Sequence, residues 1–305
     1  MKRLLSILTV FLLVSTSLFA EGIREREPAP VNSQQGSSVW KITKDGKFMF
    51  LGGSVHILRE DDLPLPREFN YAFSNSEVLV LEADTEQLQD PETALYFLTQ
   101  MYLPGNLTLQ DVLDAETYEL LSFVCSDYGI PIESVSHFKP ALVITMLAML
   151  DMEDHGFDQQ GVDDYFQGKA RANNKPVVFM EPVEAQITML VTMGEGYEND
   201  FVRYSLMDMD SSHDDMDTLM NDWKTGNSSS SEETLLSMKE EWPKIYKSLI
   251  TDRHDAWLPQ IEEFISSGKV HFVVAGLLHM HGPDGLLKVL KDLGYGVEQV
   301  VVENR

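Results

Sequence analysis

Two copies of one local pattern, near opposite ends of the chain, most constrain its fold. The first reads Phe48-Met49-Phe50-Leu51-Gly52-Gly53-Ser54-Val55-His56; the second runs Val270-His271-Phe272-Val273-Val274-Ala275-Gly276-Leu277-Leu278-His279. In each, an apolar strand-like run ends in Gly-x-x-His and is followed by a loop, an amphipathic segment and another apolar run. A parallel α/β sheet puts ligand chemistry in the crevice outside the carboxyl ends of its strands. The two imidazoles are therefore expected to meet, although more than 200 residues separate them.

The first twenty residues read as a secretory signal: Lys2 and Arg3, an apolar stretch from Leu4 to Leu13, and small residues from Ser15 to Ala20. Cleavage is expected near Ala20-Glu21. The apolar stretch is short of the roughly 20 residues that span a bilayer, and no cysteine is present there to carry a lipid. The chain has a formal charge of −26, and loss of Lys2 and Arg3 takes the mature form to about −28. Nucleic acid and anionic membrane surfaces, which select Lys and Arg clusters, are disfavoured as partners. Cys125 is the single cysteine and is expected in a core rather than as a nucleophile. These features predict an exported protein, periplasmic or extracellular, with no stable membrane span after signal cleavage.

Residues 21–38 are rich in Pro, Ser, Gln and charge and read as a flexible lead-in. A hairpin is predicted over Val39–Leu51, turning at Asp45-Gly46. A helix over Leu65–Ser74 and a strand at Val78–Leu81, ending at Glu82, complete a βαβ-like unit. Helical spacing marks Pro91–Met101, Asp111–Tyr128, Lys139–Met152 and Gly161–Asn173, and Val177–Met180 is a strand ending at Glu181. Residues 207–241 are strongly acidic but lack the ligand spacing and glycine of an EF-hand; a solvated helix-loop-helix is expected. At the C-terminus, strand Val270–Ala275, helix Asp284–Leu293 and strand Val297–Val302 repeat the βαβ layout. The predicted architecture is α/β: a mixed or mostly parallel central sheet built from two βαβ-like halves with inserted helices, in one domain over 39–305.

His56, Glu82, Glu181 and His279 each follow an apolar strand-like run. Gly53 and Gly276, three residues before the histidines, permit a positive φ or a close backbone approach. Imidazole and carboxylate together form a ligand set for a divalent ion such as Zn, Mn, Co or Fe. His56, Glu82 and His279 would leave an open position for a water of lowered pKa. Glu181 is then base, fourth ligand or an outer partner. The same residues support a metal-free hydrolase in which His56 is the general base and a carboxylate sets its tautomer. Spacing does not separate the two. The His-Glu-x-x-His, Gly-x-Ser-x-Gly and phosphate-loop signatures are absent. Arg59, after the first histidine, and Arg253, four residues before Trp257, are candidates to bind substrate. His281 is a lesser candidate ligand, and His137, His155, His213 and His271 have no supporting pattern.

Trp40-Lys41-Ile42 followed by Phe50-Leu51-Gly52-Gly53-Ser54-Val55-His56 resembles the opening of the TraB/PrgY/GumN family, which includes the Tiki proteins. Also similar, and in the same order, are the strand ending in Glu82, Glu181-Pro182-x-Glu184-x-Gln186, the Arg253–Trp257 segment and Gly276-x-x-His279-x-x-Gly282. Ser54 stands where the family commonly has Thr, and Met280-His281 adds an imidazole to the second motif. The resemblance implies a fold akin to the erythromycin-esterase-like and ChaN-like groups. Through the Tiki proteins it implies metal-dependent peptide hydrolysis, with His56, His279 and Glu82 in the matching roles. The sequence thus predicts an exported, metal-dependent hydrolase acting on a peptide or small-molecule substrate. The alternatives are a metal-free esterase-type hydrolase and a non-enzymatic protein that sequesters a peptide or haem-like ligand.

Overall fold

A computed structural model describes residues 36–209 and 212–303. The signal segment and its cleavage site lie outside the described residues, as does the lead-in up to residue 35. The end of that lead-in is not loose: Ser37 and Ser38 are buried, and the Ser38 N–H donates to the Trp223 carbonyl at 3.1 Å.

Strands β1 (Val39–Lys44) and β2 (Lys47–Ser54) form the expected hairpin. Asp45 and Gly46 have φ of 50° and 76°, both positive, as a two-residue turn matched to strand twist requires. β3 (Ile57–Leu58) pairs with β5 (Gln159–Gln160) in a separate two-stranded ribbon. The remaining strands are β4 (Val78–Leu81), β6 (Val177–Phe179), β7 (His271–Gly276) and β8 (Gly296–Gln299). The main sheet has six strands in the order β6-β4-β7-β2-β1-β8. Only β1 runs against its neighbours, so the sheet is mixed and mostly parallel, as the sequence predicts.

The helices between strands are α1 (Arg67–Ser74), α2 (Pro91–Met101), α3 (Ala115–Asp127), α4 (Pro140–Asp154), α5 (Val162–Ala172), α6 (Val183–Thr192), α7 (Glu198–Met209), α8 (Ser212–Thr225), α9 (Ser229–Glu241), α10 (Asp252–Ser266) and α11 (Leu286–Asp292). The helix expected over Asp111–Tyr128 is interrupted. A short helix at Leu109–Val112 ends before Asp114, whose carboxylate caps α3 by accepting from the Thr117 N–H at 2.8 Å.

The two βαβ-like units interlock instead of standing side by side. β7, from the far end of the chain, enters between β2 and β4 and pairs in parallel with both. Every residue of β7 is buried, which suits a central strand covered on both faces. β8, mostly exposed, takes the edge beside β1. Side chains alternate between two cores, as the two-residue strand period demands. Phe50, Leu79, Phe272 and Val274 face Phe69 of α1, Phe166 of α5 and Trp223 of α8. Leu51, Val80, Val273 and Ala275 face Trp257 and Ile261 of α10 and Leu286 and Leu290 of α11.

Within the acidic 207–241 stretch the described residues form the end of α7, then α8 and α9, and they are not wholly solvated. Met216, Leu219, Met220 and Trp223 recur at three- and four-residue spacing among the acids, and that stripe is buried. Trp223 donates its indole N–H to the Gly53 carbonyl at 2.9 Å, tying the segment to the end of β2.

Candidate active site

The sheet order places four strand ends in one row: Glu181 after β6, Glu82 after β4, His279 after β7 and His56 after β2. Ser54 of β2 lies opposite Gly276 of β7, so the two Gly-x-x-His turns leave the sheet nearly in register. A methyl placed on Gly276 would lie 3.6 Å from Glu82 Oε1, 3.6 Å from His279 Cδ2 and 3.8 Å from His56 Nε2. Both histidines and the glutamate therefore frame one small space, and Gly276 keeps it open. Neither motif glycine has a positive φ, and Gly276 sits at −50°. Close approach is what they serve: a Cβ on Gly53 would meet Leu277 Cδ1 at 2.8 Å.

The centre of the row is held by Arg253, at the start of α10. A π-helical turn at Lys247–Thr251 precedes it and offsets the helical register where α10 meets the site. The guanidinium is buried and donates in three directions. Nε reaches Glu181 Oε2 at 3.1 Å, Nη2 reaches Glu181 Oε1 at 2.7 Å and also Glu82 Oε2, and Nη1 reaches His279 Nε2 at 2.9 Å. Gln186 of α6 braces both carboxylates, donating to Glu82 Oε2 at 3.1 Å and Glu181 Oε1 at 2.9 Å. Trp257, one turn along α10, donates to Glu181 Oε2 at 3.1 Å and lies under the guanidinium, 4.3 Å from ring centre to Cζ. The Gly276 N–H donates to Glu82 Oε1 at 2.7 Å. Burial alone would favour neutral Glu82. Arg253, His56 and the Gly276 N–H outweigh it and hold the carboxyl below its usual range.

His279 is fully buried, with both ring nitrogens engaged: Nε2 by Arg253, and Nδ1 by His254 Nε2 at 2.9 Å. His254 Nδ1 in turn lies 2.8 Å from the Asp284 carbonyl oxygen. Burial first, then the neighbouring Arg253 and imidazoles, keeps His279 well below the ordinary histidine value; burial pushes His254 down to about 4.

His56 is in the opposite state. Its Nδ1 stands 3.1 Å from Asp163 Oδ2. Burial would lower its pKa, but Asp163, with Glu82 and Asp164 adding, raises it to about 9. Asp163 lies in the first turn of α5, and the chain before that helix clamps the His56 turn. The Val162 N–H donates to the Val55 carbonyl at 3.0 Å, and a Cβ on Gly161 would strike the His56 carbonyl oxygen at 2.1 Å. Sequence reasoning missed Asp163. The available signal was Gly161-Val162-Asp163-Asp164, a glycine followed by two acids at a helix start. His254 was missed too; its signal is its place beside Arg253 on the helix face that Arg253 and Trp257 share.

Arg59, expected near substrate, is committed elsewhere: its Nη1 pairs with Asp217 Oδ1 at 2.5 Å and its guanidinium stacks on Phe157 at 3.9 Å. Arg59 follows His56 by three residues, but its side chain is held by Asp217 and Phe157. His281 packs edge-on to Trp40, 5.4 Å between ring centres, and burial lowers it to about 4. His137, His155 and His271 lie against backbone carbonyls. Burial raises the Cys125 thiol to about 11, which removes its nucleophilic form at neutral pH. Among the described residues no helix is long and apolar enough to cross a membrane.

The expected divalent-ion set of His56, Glu82 and His279 does converge, but the donor atoms are already used. His279 Nε2 accepts from Arg253, Glu82 Oε1 accepts from Gly276, and Glu82 Oε2 accepts from Gln186 and Arg253. Among the described residues, no group of three or more His, Cys, Asp or Glu side chains is arranged to hold an ion. As arranged, the site fits a guanidinium in place of a metal.

A model of the TraB/PrgY/gumN family matches residues 38–299. The chain is 24% identical over 258 residues to the uncharacterized protein YbaP of Escherichia coli K12, covering 82% of this chain and 90% of that protein. The uncharacterized YbaP of Shigella flexneri matches with the same identity and coverage. No solved structure matches.

Proposed function

The chain belongs to the TraB/PrgY/gumN family, and on that premise we propose that it is a hydrolase of peptide or ester bonds in which His56 moves the proton. The observation that carries this reading is the His56–Asp163 pair, with His56 Nε2 turned toward the space kept open by Gly276. A carboxylate behind Nδ1 orients the ring and stabilises its charged form, as general acid–base work requires. Nε2 takes a proton from a water molecule as the water oxygen bonds to the substrate carbonyl carbon. When the carbonyl collapses and the carbon–nitrogen or carbon–oxygen bond breaks, His56 returns that proton to the leaving group.

Arg253 supplies the positive charge opposite. Of the five N–H hydrogens of a guanidinium, the contacts to Glu181, Glu82 and His279 engage four. The remaining Nη1 hydrogen is the donor the site can offer to an oxyanion in a buried, low-dielectric setting. The leader segment supports action outside the cytoplasm, and the acidic chain supports a substrate other than nucleic acid.

The test is a peptide-library and ester panel on the wild-type chain with His56→Ala and Asp163→Asn variants, each with and without chelator. Turnover that survives chelation, is lost in His56→Ala and, on the high-pH plateau, falls about 100- to 10,000-fold in Asp163→Asn is the expected result. A peptide or haem-like ligand retained without product over long incubation overturns the hydrolase reading. A second reading starts from the convergence of His56 Nε2, Glu82 Oε1 and His279 on one space: were Arg253 withdrawn from His279, these three would be the residues to hold a divalent ion, which would supply a water of lowered pKa. Stoichiometric metal in the native protein, with activity lost on chelation, selects it.

A further inference from the structure

We propose that His254 is a positioning residue for His279, fixing its imidazole in the Nδ1–H form so that the Nε2 lone pair holds the Arg253 guanidinium in place. The proton order follows from the two ends of the chain of contacts. At one end, the Asp284 carbonyl oxygen has no hydrogen to give, so its 2.8 Å contact requires the hydrogen on His254 Nδ1. A neutral imidazole carries a single ring hydrogen, which leaves His254 Nε2 as a bare acceptor. The 2.9 Å contact to His279 Nδ1 must then be donated by His279. That spends the one hydrogen of His279 and leaves its Nε2 bare. At the other end, Arg253 Nη1 can only donate, and it meets that nitrogen at 2.9 Å. The two ends demand the same order independently.

Reversing the order places two donors face to face at Arg253 and two acceptors face to face at Asp284. The residues are too buried for water to repair either: Arg253, His254 and His279 are 7%, 6% and 0% exposed. The anchor is itself fixed, since the Asp284 carboxylate accepts from Lys239 at 2.6 Å and Tyr246 at 2.7 Å. Arg253 and His254 are consecutive on α10 and grip opposite nitrogens of the same ring. On the hydrolase reading above, on which the functional half of this inference rests, His254 thereby sets where the spare Nη1 hydrogen points.

The test is imidazole nitrogen NMR of the full chain labelled with ¹⁵N-histidine, with His279 assigned by its loss in His279→Asn. Wild type should show His279 protonated at Nδ1 and bare at Nε2. His254→Gln, whose amide can donate to Asp284 and accept from His279, should retain that form; His254→Phe, which keeps a ring but no acceptor, should lose it. Wild-type His279 protonated at Nε2, or an Nδ1–H form unchanged in a folded His254→Phe, overturns the proposal. If His254→Phe does not fold, the wild-type and His254→Gln spectra still decide it. On a substrate from the panel, His254→Phe should lower kcat about 10- to 100-fold with KM unchanged, and His254→Gln should restore most of it. Correct tautomers in a protein that hydrolyses nothing would leave the positioning role standing and remove the hydrolase reading.

Discussion

His56 and His279 carry the same motif yet occupy opposite electrostatic settings. His279, buried beside a guanidinium, stays neutral, whereas His56, beside Asp163, is raised to about 9. A base whose folded pKa is raised is an imidazolium at neutral pH and gains its lone pair only as pH climbs. kcat/KM for the metal-free reaction should therefore rise with pH and reach half its plateau near 9. In Asp163→Asn the limb should move to lower pH, because burial then acts on His56 with less opposition; a limb that does not move would exclude His56 as the titrating base. Gly276 offers a complementary test. Its added methyl meets nothing closer than 3.6 Å, so Gly276→Ala should fold with a melting temperature close to wild type yet lose most activity by filling the central space. At Gly53 the same methyl meets Leu277 at 2.8 Å, and Gly53→Ala should instead cost about 1–3 kcal/mol of stability.

At the scale of elements, the site is a convergence of three kinds of support. Parallel strands deliver Glu181, Glu82, His279 and His56 at one edge, α5 brings Asp163 behind His56, and α10 lays Arg253, His254 and Trp257 across the other side. α8 belongs to this support even though its composition is that of a solvated helix. Trp223→Phe keeps most of the buried area but removes the indole donor to Gly53. A loss of about 1–3 kcal/mol in urea unfolding, with activity reduced through the loosened end of β2, is the expected outcome. An unchanged midpoint would mean that α8 rests on the sheet without holding it.

The molecule as a whole buries several neutral imidazoles, and this sets its acid limit. His254 and His281 are both pushed down to about 4 by burial. The unfolded chain takes up those protons near 6.5, so their contribution is fully present above that pH and is lost as pH falls toward 4. Each amounts to about 3 kcal/mol at most. Urea midpoints should rise as pH falls from 8 to 7, because His56, raised to about 9, keeps a proton that the unfolded chain has shed; they should then fall steeply between 6.5 and 4, and replacing His281 with Gln should flatten part of that acid slope.

The features that can be read along the chain are local. Strand runs of period two or continuous apolarity, the Asp45-Gly46 turn, the α/β alternation and the polar residues just past four strand ends are all written in stretches of fewer than a dozen residues. Steric and hydrogen-bond rules act at that range, and so His56, Glu82, Glu181 and His279 were legible. Folding sets the rest: β7 enters between β2 and β4, Asp163 and not a neighbouring carboxylate backs His56, and Arg253 reaches His279 while Arg59 pairs with Asp217. Those outcomes depend on which buried faces close one core and which buried charges find partners. Such pairings join residues that no local period connects.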